Sequence, residues 1–272
     1  MLPSSLFLLV WTAVAVASPL ARRPDGHLGH RTTVPVLPVN GGERELPLPP
    51  TNTTLKALVL GFGIQNYTCT GPGAEPKATG ALAMLYDIST LYPDQCRSSL
   101  DLDAFNALTS DAIWGLEVPL NLVLDIDIDI GTSSPSSRRR RLLPRGANPQ
   151  HPFPPPSPLD LPQQEDIDPL PYAGQHFFNA DGAPQFRLRG SSGASSIDLI
   201  ASKLGQVDAP ADADAGPDRT GAVPWLQLGS SSAGSVGAKF VYRVMTTGGV
   251  SHGCLSAGED SSAYTAQYWF YG

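Results

Sequence analysis

Residues 264–271 read Tyr-Thr-Ala-Gln-Tyr-Trp-Phe-Tyr (YTAQYWFY). Aromatic and β-branched residues suit the pleated, half-buried surface of a strand. Side chains along a strand alternate between its faces, so Tyr264, Ala266, Tyr268 and Phe270 share one face. Thr265, Gln267, Trp269 and Tyr271 share the other. If that second face is open, rings beside amide and hydroxyl groups can stack on sugars and bind their hydroxyls. If a packed layer covers each face, the stretch is an interior strand.

The same reading extends outward. Leu55–Thr70, Ala81–Ile88, His176–Asn179, Gln185–Leu188, Trp225–Leu228 and Lys239–Thr246 all read as strands. Leu120 to Ile130 alternates strictly, with Leu122, Leu124, Ile126, Ile128 and Ile130 opposite Asp125, Asp127 and Asp129. One helix is expected over Asp101–Ile113, with Leu102, Phe105 and Leu108 on a stripe. Short strands separated by Gly, Pro and Ser turns predict a mostly β fold, an antiparallel sandwich or a barrel-like single domain.

Composition agrees. Gly and Pro number 27 each in 272 residues, which disfavours a helical bundle. The excess is concentrated at 132–171, where 11 prolines fall between Pro135 and Pro171 beside the run Arg138–Arg141. Such a stretch reads as a disordered Pro/Arg-rich insert, because it offers little apolar surface against its ordering entropy. The globular body is then 46–272, interrupted by 132–171, with a flexible pro-segment or arm over 18–45.

The net charge of −7 makes nucleic acid a poor partner, since binding to it depends on neutralising phosphates. Leu6–Ala17 is an apolar run of 12 residues, shorter than the roughly 20 that span a bilayer. Ending in Ala15-Val16-Ala17, it reads as a signal peptide over 1–17, so the chain is expected outside the cell and without a membrane span. Asn52-Thr53-Thr54 and Asn66-Tyr67-Thr68 are acceptor sequons for N-glycosylation. Arg22-Arg23 and Arg138–Arg141 are candidate processing sites. In an oxidising compartment the three cysteines allow one disulfide, and Cys69–Cys254 is the pairing expected, leaving Cys96.

Motifs for chemistry are few. Gly61-Phe62-Gly63 lacks the third glycine of a dinucleotide fingerprint, and strand rather than helix follows it; the glycines mark a bulge or a close backbone approach instead. Ser251-His252-Gly253-Cys254 reads as a disulfide beside an exposed turn histidine, with a Cys–His nucleophile as the minor alternative. Asp212 to Asp218 departs from a calcium loop in its glycine position and in having Val223 where a bidentate Glu is needed. Cysteine spacing does not suit zinc, and neither a metal nor a cofactor is expected.

The strings GIQNYTC (63–69), HFF (176–178), GAPQFRL (182–188), VPWLQL (223–228), VYRVMTTGG (241–249) and YTAQYWFY (264–271) occur in the order of a known pattern. They resemble a domain of unknown function from secreted fungal and bacterial proteins, over about 46–131 and 172–272. Its fungal members often carry the label malate dehydrogenase. The resemblance implies recurrence of cysteines matching Cys69 and Cys254, which supports that pairing, and brings no catalytic residues with it. The residues contradict the label, because a hydride-transferring enzyme needs a dinucleotide site and alternating βαβ units. The expected function is therefore a module that binds carbohydrate or cell-surface glycans, with Trp269, Tyr271, Gln267 and His176 as candidate binding residues. The alternative is a secreted hydrolase in which His176 is the first residue to suspect.

Overall fold

A computed structural model describes residues 33–124, 144–164, 167–190 and 196–272. Its strands are β1 (Leu55–Cys69), β2 (Lys77–Asp87), β3 (Leu122–Leu124), β4 (Pro144–Ala147) and β5 (Tyr172–Phe178). Then come β6 (Pro184–Leu188), β7 (Ile197–Val207), β8 (Trp225–Ser230), β9 (Phe240–Gly248) and β10 (Gly258–Tyr271). The helix α1 covers Leu102–Gly115. Eight strands close into an antiparallel barrel in the order β1-β10-β9-β8-β7-β6-β5-β2, and β3 pairs with β4 apart from it. Of the two architectures expected, the chain adopts the barrel.

Two apolar layers follow from the period of two. Phe186 of β6 touches Tyr268 and Phe270 of β10, with ring centroids 5.3 and 5.5 Å apart. Those strands lie on opposite sides of the barrel, so their contact places Tyr264, Ala266, Tyr268 and Phe270 in the lumen. Thr265, Gln267, Trp269 and Tyr271 point outward, yet they too are buried. The outer layer holds Leu58, Leu60, Phe62 and Ile64 of β1 together with Phe105 and Leu108 of α1.

The helix explains the polar outer face of β10. The Asp101 carboxylate accepts a hydrogen bond from the Ala104 amide at 2.8 Å, capping the first turn. Thr265 Oγ1 donates to the Thr109 carbonyl at 2.8 Å, and Gln267 Nε2 donates to that of Phe105 at 3.3 Å. These polar side chains are satisfied by the helix backbone, not by solvent. Leu102, expected on the buried stripe, is exposed at the first helical position.

Gly61 and Gly63 are sites of close approach, as the sequence suggests. A Cβ at Gly63 would lie 1.8 Å from the Leu82 carbonyl oxygen, and one at Gly61 would lie 2.4 Å from Cε2 of Tyr268. Neither the β2 backbone nor a lumen tyrosine can give way by that much.

The stretch read as a disordered insert over 132–171 divides in two. Residues 132–143, with the arginine run, lie outside the described residues, as do 1–32 and the alternating positions 125–130. Residues 144–164 and 167–171 instead strap the barrel. Leu159, Leu161 and Leu170 are buried in the outer layer, and Leu159 and Leu170 exchange backbone hydrogen bonds at 2.9 and 2.7 Å. Gln164 Nε2 donates to Asp111 Oδ2 of α1 at 2.7 Å. Prolines restrict the unfolded chain as well as the folded one, so a few well-placed leucines suffice to order the segment. Part of the expected arm packs likewise: Leu37 is buried, and the Val36 amide donates to the Tyr92 hydroxyl at 3.1 Å.

Candidate functional site

At one end of the barrel the lumen opens into a cavity of about 650 Å³, within the range usual for small-ligand sites. Its walls include Phe178, Phe186, Leu226 and Leu228, from β5, β6 and β8. Gln65 of β1, His176 of β5 and Arg243 of β9 bring buried polar groups to the same space. Alternation dictates this: Arg243 follows lumen-facing Val241 by two residues, and His176 precedes Phe178 by two.

Each polar group has a defined setting. Gln65 Nε2 donates to the Gly80 carbonyl at 2.6 Å, leaving Oε1 to accept from Arg243 Nη1 at 3.4 Å. Arg243 Nη2 donates to the Pro224 carbonyl at 2.8 Å. The imidazole of His176 stacks on Phe186, centroids 4.0 Å apart, with Nδ1 3.0 Å from the Gln185 carbonyl. A carbonyl only accepts, so Nδ1 carries the proton and Nε2 is an acceptor. Burial, with a smaller contribution from the Arg243 charge, pushes His176 down to about 4, so the ring is neutral at physiological pH. Burial holds the Tyr67 phenol up at about 12, partly opposed by Arg243.

Of the candidate binding residues, the structure brings only His176 to this cavity. Trp269 and Gln267 are fully buried outside the barrel, with Trp269 Nε1 donating to Gln267 Oε1 at 3.1 Å. Trp269 packs edge-on against Tyr92, and Tyr271 against Tyr242. The expectation that these three form an open sugar-stacking platform is thereby corrected: the helix and the straps cover that face. His176 has no Ser, Thr or Cys among its neighbours lining the cavity. The sequence reading did not single out Gln65 or Arg243. The available signal was a charged residue in phase with the apolar positions of β9.

A second polar cluster joins the disulfide. Cys69 at the end of β1 is bonded to Cys254, as expected, and Cys96 is the free cysteine. His252 is not an exposed turn residue. Its Nδ1 lies 2.8 Å from Asp260 Oδ1, and its Nε2 lies 3.6 Å from Asp218 Oδ2, an ion-pair distance. The Ser251 hydroxyl and the His252 amide both donate to Asp260. Asp218 first, then Asp260, hold the imidazolium up to about 9 against partial desolvation. That value exceeds the unfolded one of about 6.5. The stabilisation is therefore complete below pH 6.5 and is lost as pH rises through about 9. The expected result is a melting temperature that falls from pH 6.5 to 9.5 in the unmodified chain and changes less in His252→Asn. Solvent access limits the difference to about 1 kcal/mol or less. Parallel pH profiles would contradict it.

Elsewhere, Asp214 accepts from the Trp114 indole at 2.7 Å and from the Gly216 amide at 2.9 Å, so this carboxylate of the acidic loop organises backbone and helix. No group of three or more His, Cys, Asp or Glu among the described residues is placed to hold a metal ion. No described helix is long and apolar enough to cross a membrane. Asn52 is exposed in the turn before β1, whereas Asn66 is half-buried within it, its Oδ1 accepting from Ser261 Oγ at 2.8 Å.

Fold and cavity together define a closed eight-stranded antiparallel barrel with an amphipathic pocket at its mouth. The sequence pattern of DUF3455, a family described as protein of unknown function, matches residues 49–272, and the chain belongs to that family. No curated protein and no solved structure matches the chain.

Proposed function

We propose that this chain is an exported binding module whose ligand is a small organic molecule held in the barrel mouth. The observation that carries the reading is the cavity of about 650 Å³, apolar along its walls, with three buried polar side chains converging on it. That combination is how small-molecule sites gain affinity from apolar contact and orientation from a few polar groups. Export is supported by the apolar run at Leu6–Ala17 and by the disulfide, which persists in oxidising compartments. Exposed Asn52 is the better placed of the two glycan acceptors. A glycan ligand loses the aromatic platform that motivated it, because Trp269 and Tyr271 are interior.

The test uses a neutral fluorescent amphipath, N-phenyl-1-naphthylamine, titrated into the folded chain. One-to-one binding is expected, and Leu226→Trp, which sets an indole across the mouth, weakens it at least tenfold with little change in melting temperature. Equal binding by Leu226→Trp, or several equivalent sites, overturns the reading.

A further inference from the structure

We infer that the mouth cavity selects amphipathic anions: a carboxylate, or an oxyanion of similar shape, taken by the Arg243 guanidinium, on a compact apolar or aromatic body lodged against Phe178, Phe186 and Leu226. This rests on the reading of the cavity as a ligand site and specifies the chemistry of what enters it.

The argument begins with an unbalanced charge. Arg243 is only 8% exposed, and its side chain is a cationic guanidinium that offers donors and no acceptor. The acceptors that hold it, Gln65 Oε1 and the Pro224 carbonyl, are both neutral. Its Nε is buried and meets no acceptor in the chain. None of the ion pairs among the described residues involves Arg243. Removing a cation from water without a counter-charge costs several kcal/mol, so an aliphatic residue here would make a more stable barrel. The position lies on β9 between Leu226 of β8 and Tyr268 of β10, amid apolar neighbours that raise the strength of any ionic contact. A guanidinium presents its donors as a planar fork that matches a carboxylate.

The other charged groups lining the cavity do not change the sign of its interior. Lys203 and Glu75 are of opposite charge, both on the exposed rim where water screens them, and Lys203 Nζ is engaged with Gln206 Oε1 at 3.1 Å. His176 adds no charge, and its Nε2 is free to accept from a hydroxyl or N–H on the ligand body. A ligand cation would face Arg243 directly, and a neutral ligand would forgo the strongest contact the site offers.

One skeleton with three head groups tests this: 4-butylbenzoate, 4-butylbenzyl alcohol and 4-butylbenzylamine, each titrated calorimetrically at pH 7.5. The acid is expected to bind at least tenfold more tightly than the alcohol, and the amine most weakly. Arg243→Met should bring acid and alcohol within about twofold of each other, through a loss of acid affinity of at least tenfold. The comparison on the unmodified chain stands even if Arg243→Met does not fold. Equal binding of acid and alcohol, a preference for the amine, or an undiminished acid preference in Arg243→Met overturns the charge assignment and leaves the cavity as a site. No binding by any of the three overturns both.

Discussion

Replacing Trp269 with alanine lowers the stability of the folded chain by about 3–5 kcal/mol, the usual cost of deleting a large aromatic from a packed core. Its side chain is fully buried between β10 and the outer layer, edge-on to Tyr92 at 5.9 Å. Removing the indole also strips Gln267 Oε1 of its donor inside the same layer. In a chain of this size the loss corresponds to a melting temperature lower by roughly 10 °C. The informative control is Trp114→Ala, because Trp114 is 54% exposed and its contact to Asp214 lies at the surface. That change should cost no more than about 1 kcal/mol. Similar denaturation midpoints for the two variants would show that Trp269 is not an interior residue, and would restore the aromatic platform as a candidate.

Loss of the Cys69–Cys254 bridge is the second large effect. The bond closes a loop of 185 residues, and the chain-entropy account gives up to about 5 kcal/mol for so long a closure. Measured losses for native disulfides are typically 2–5 kcal/mol. Cys69 ends β1 opposite Gly258, the first residue of β10, so the bridge pins the loop carrying Ser251 and His252 to the barrel seam. Cys69→Ala with Cys254→Ala should unfold at a much lower urea concentration, and reductant should lower the midpoint of the unmodified chain to the same value. Cys96→Ser, which alters only the free thiol, should leave the midpoint unchanged. Insensitivity of the unmodified chain to reductant would contradict the assignment.

Legibility in the sequence followed the range of the interactions. The two faces of β10 and the close approach at Gly61 and Gly63 are local, and their residues announce them. What covers a face is not local. Whether Gln267 and Thr265 face sugars or a packed layer stays open in the sequence, because nothing near them reveals that helix carbonyls will meet them. Strand β7 passed unnoticed because Ala201, Ser202, Lys203 and Gly205 have weak strand preference, and its pairing with β6 and β8 imposes the conformation. The straps at 144–164 and 167–171 were hidden by their proline content, although Leu159, Leu161 and Leu170 carried the signal. The cavity emerges only on closure, when Gln65, His176 and Arg243 arrive from three separate strands.

The longest strand pairing among the described residues joins β1 to β10, the first and last strands of the barrel, over Leu55–Cys69 and Gly258–Tyr271. A ribosome making this chain therefore releases β1 long before this partner exists, and that edge stays unpaired while residues 70–257 are made. Such distant pairing slows folding and exposes the nascent chain to misassembly. The cylinder itself cannot shut until its final strand has been made, because β10 supplies the partner edge of both β1 and β9.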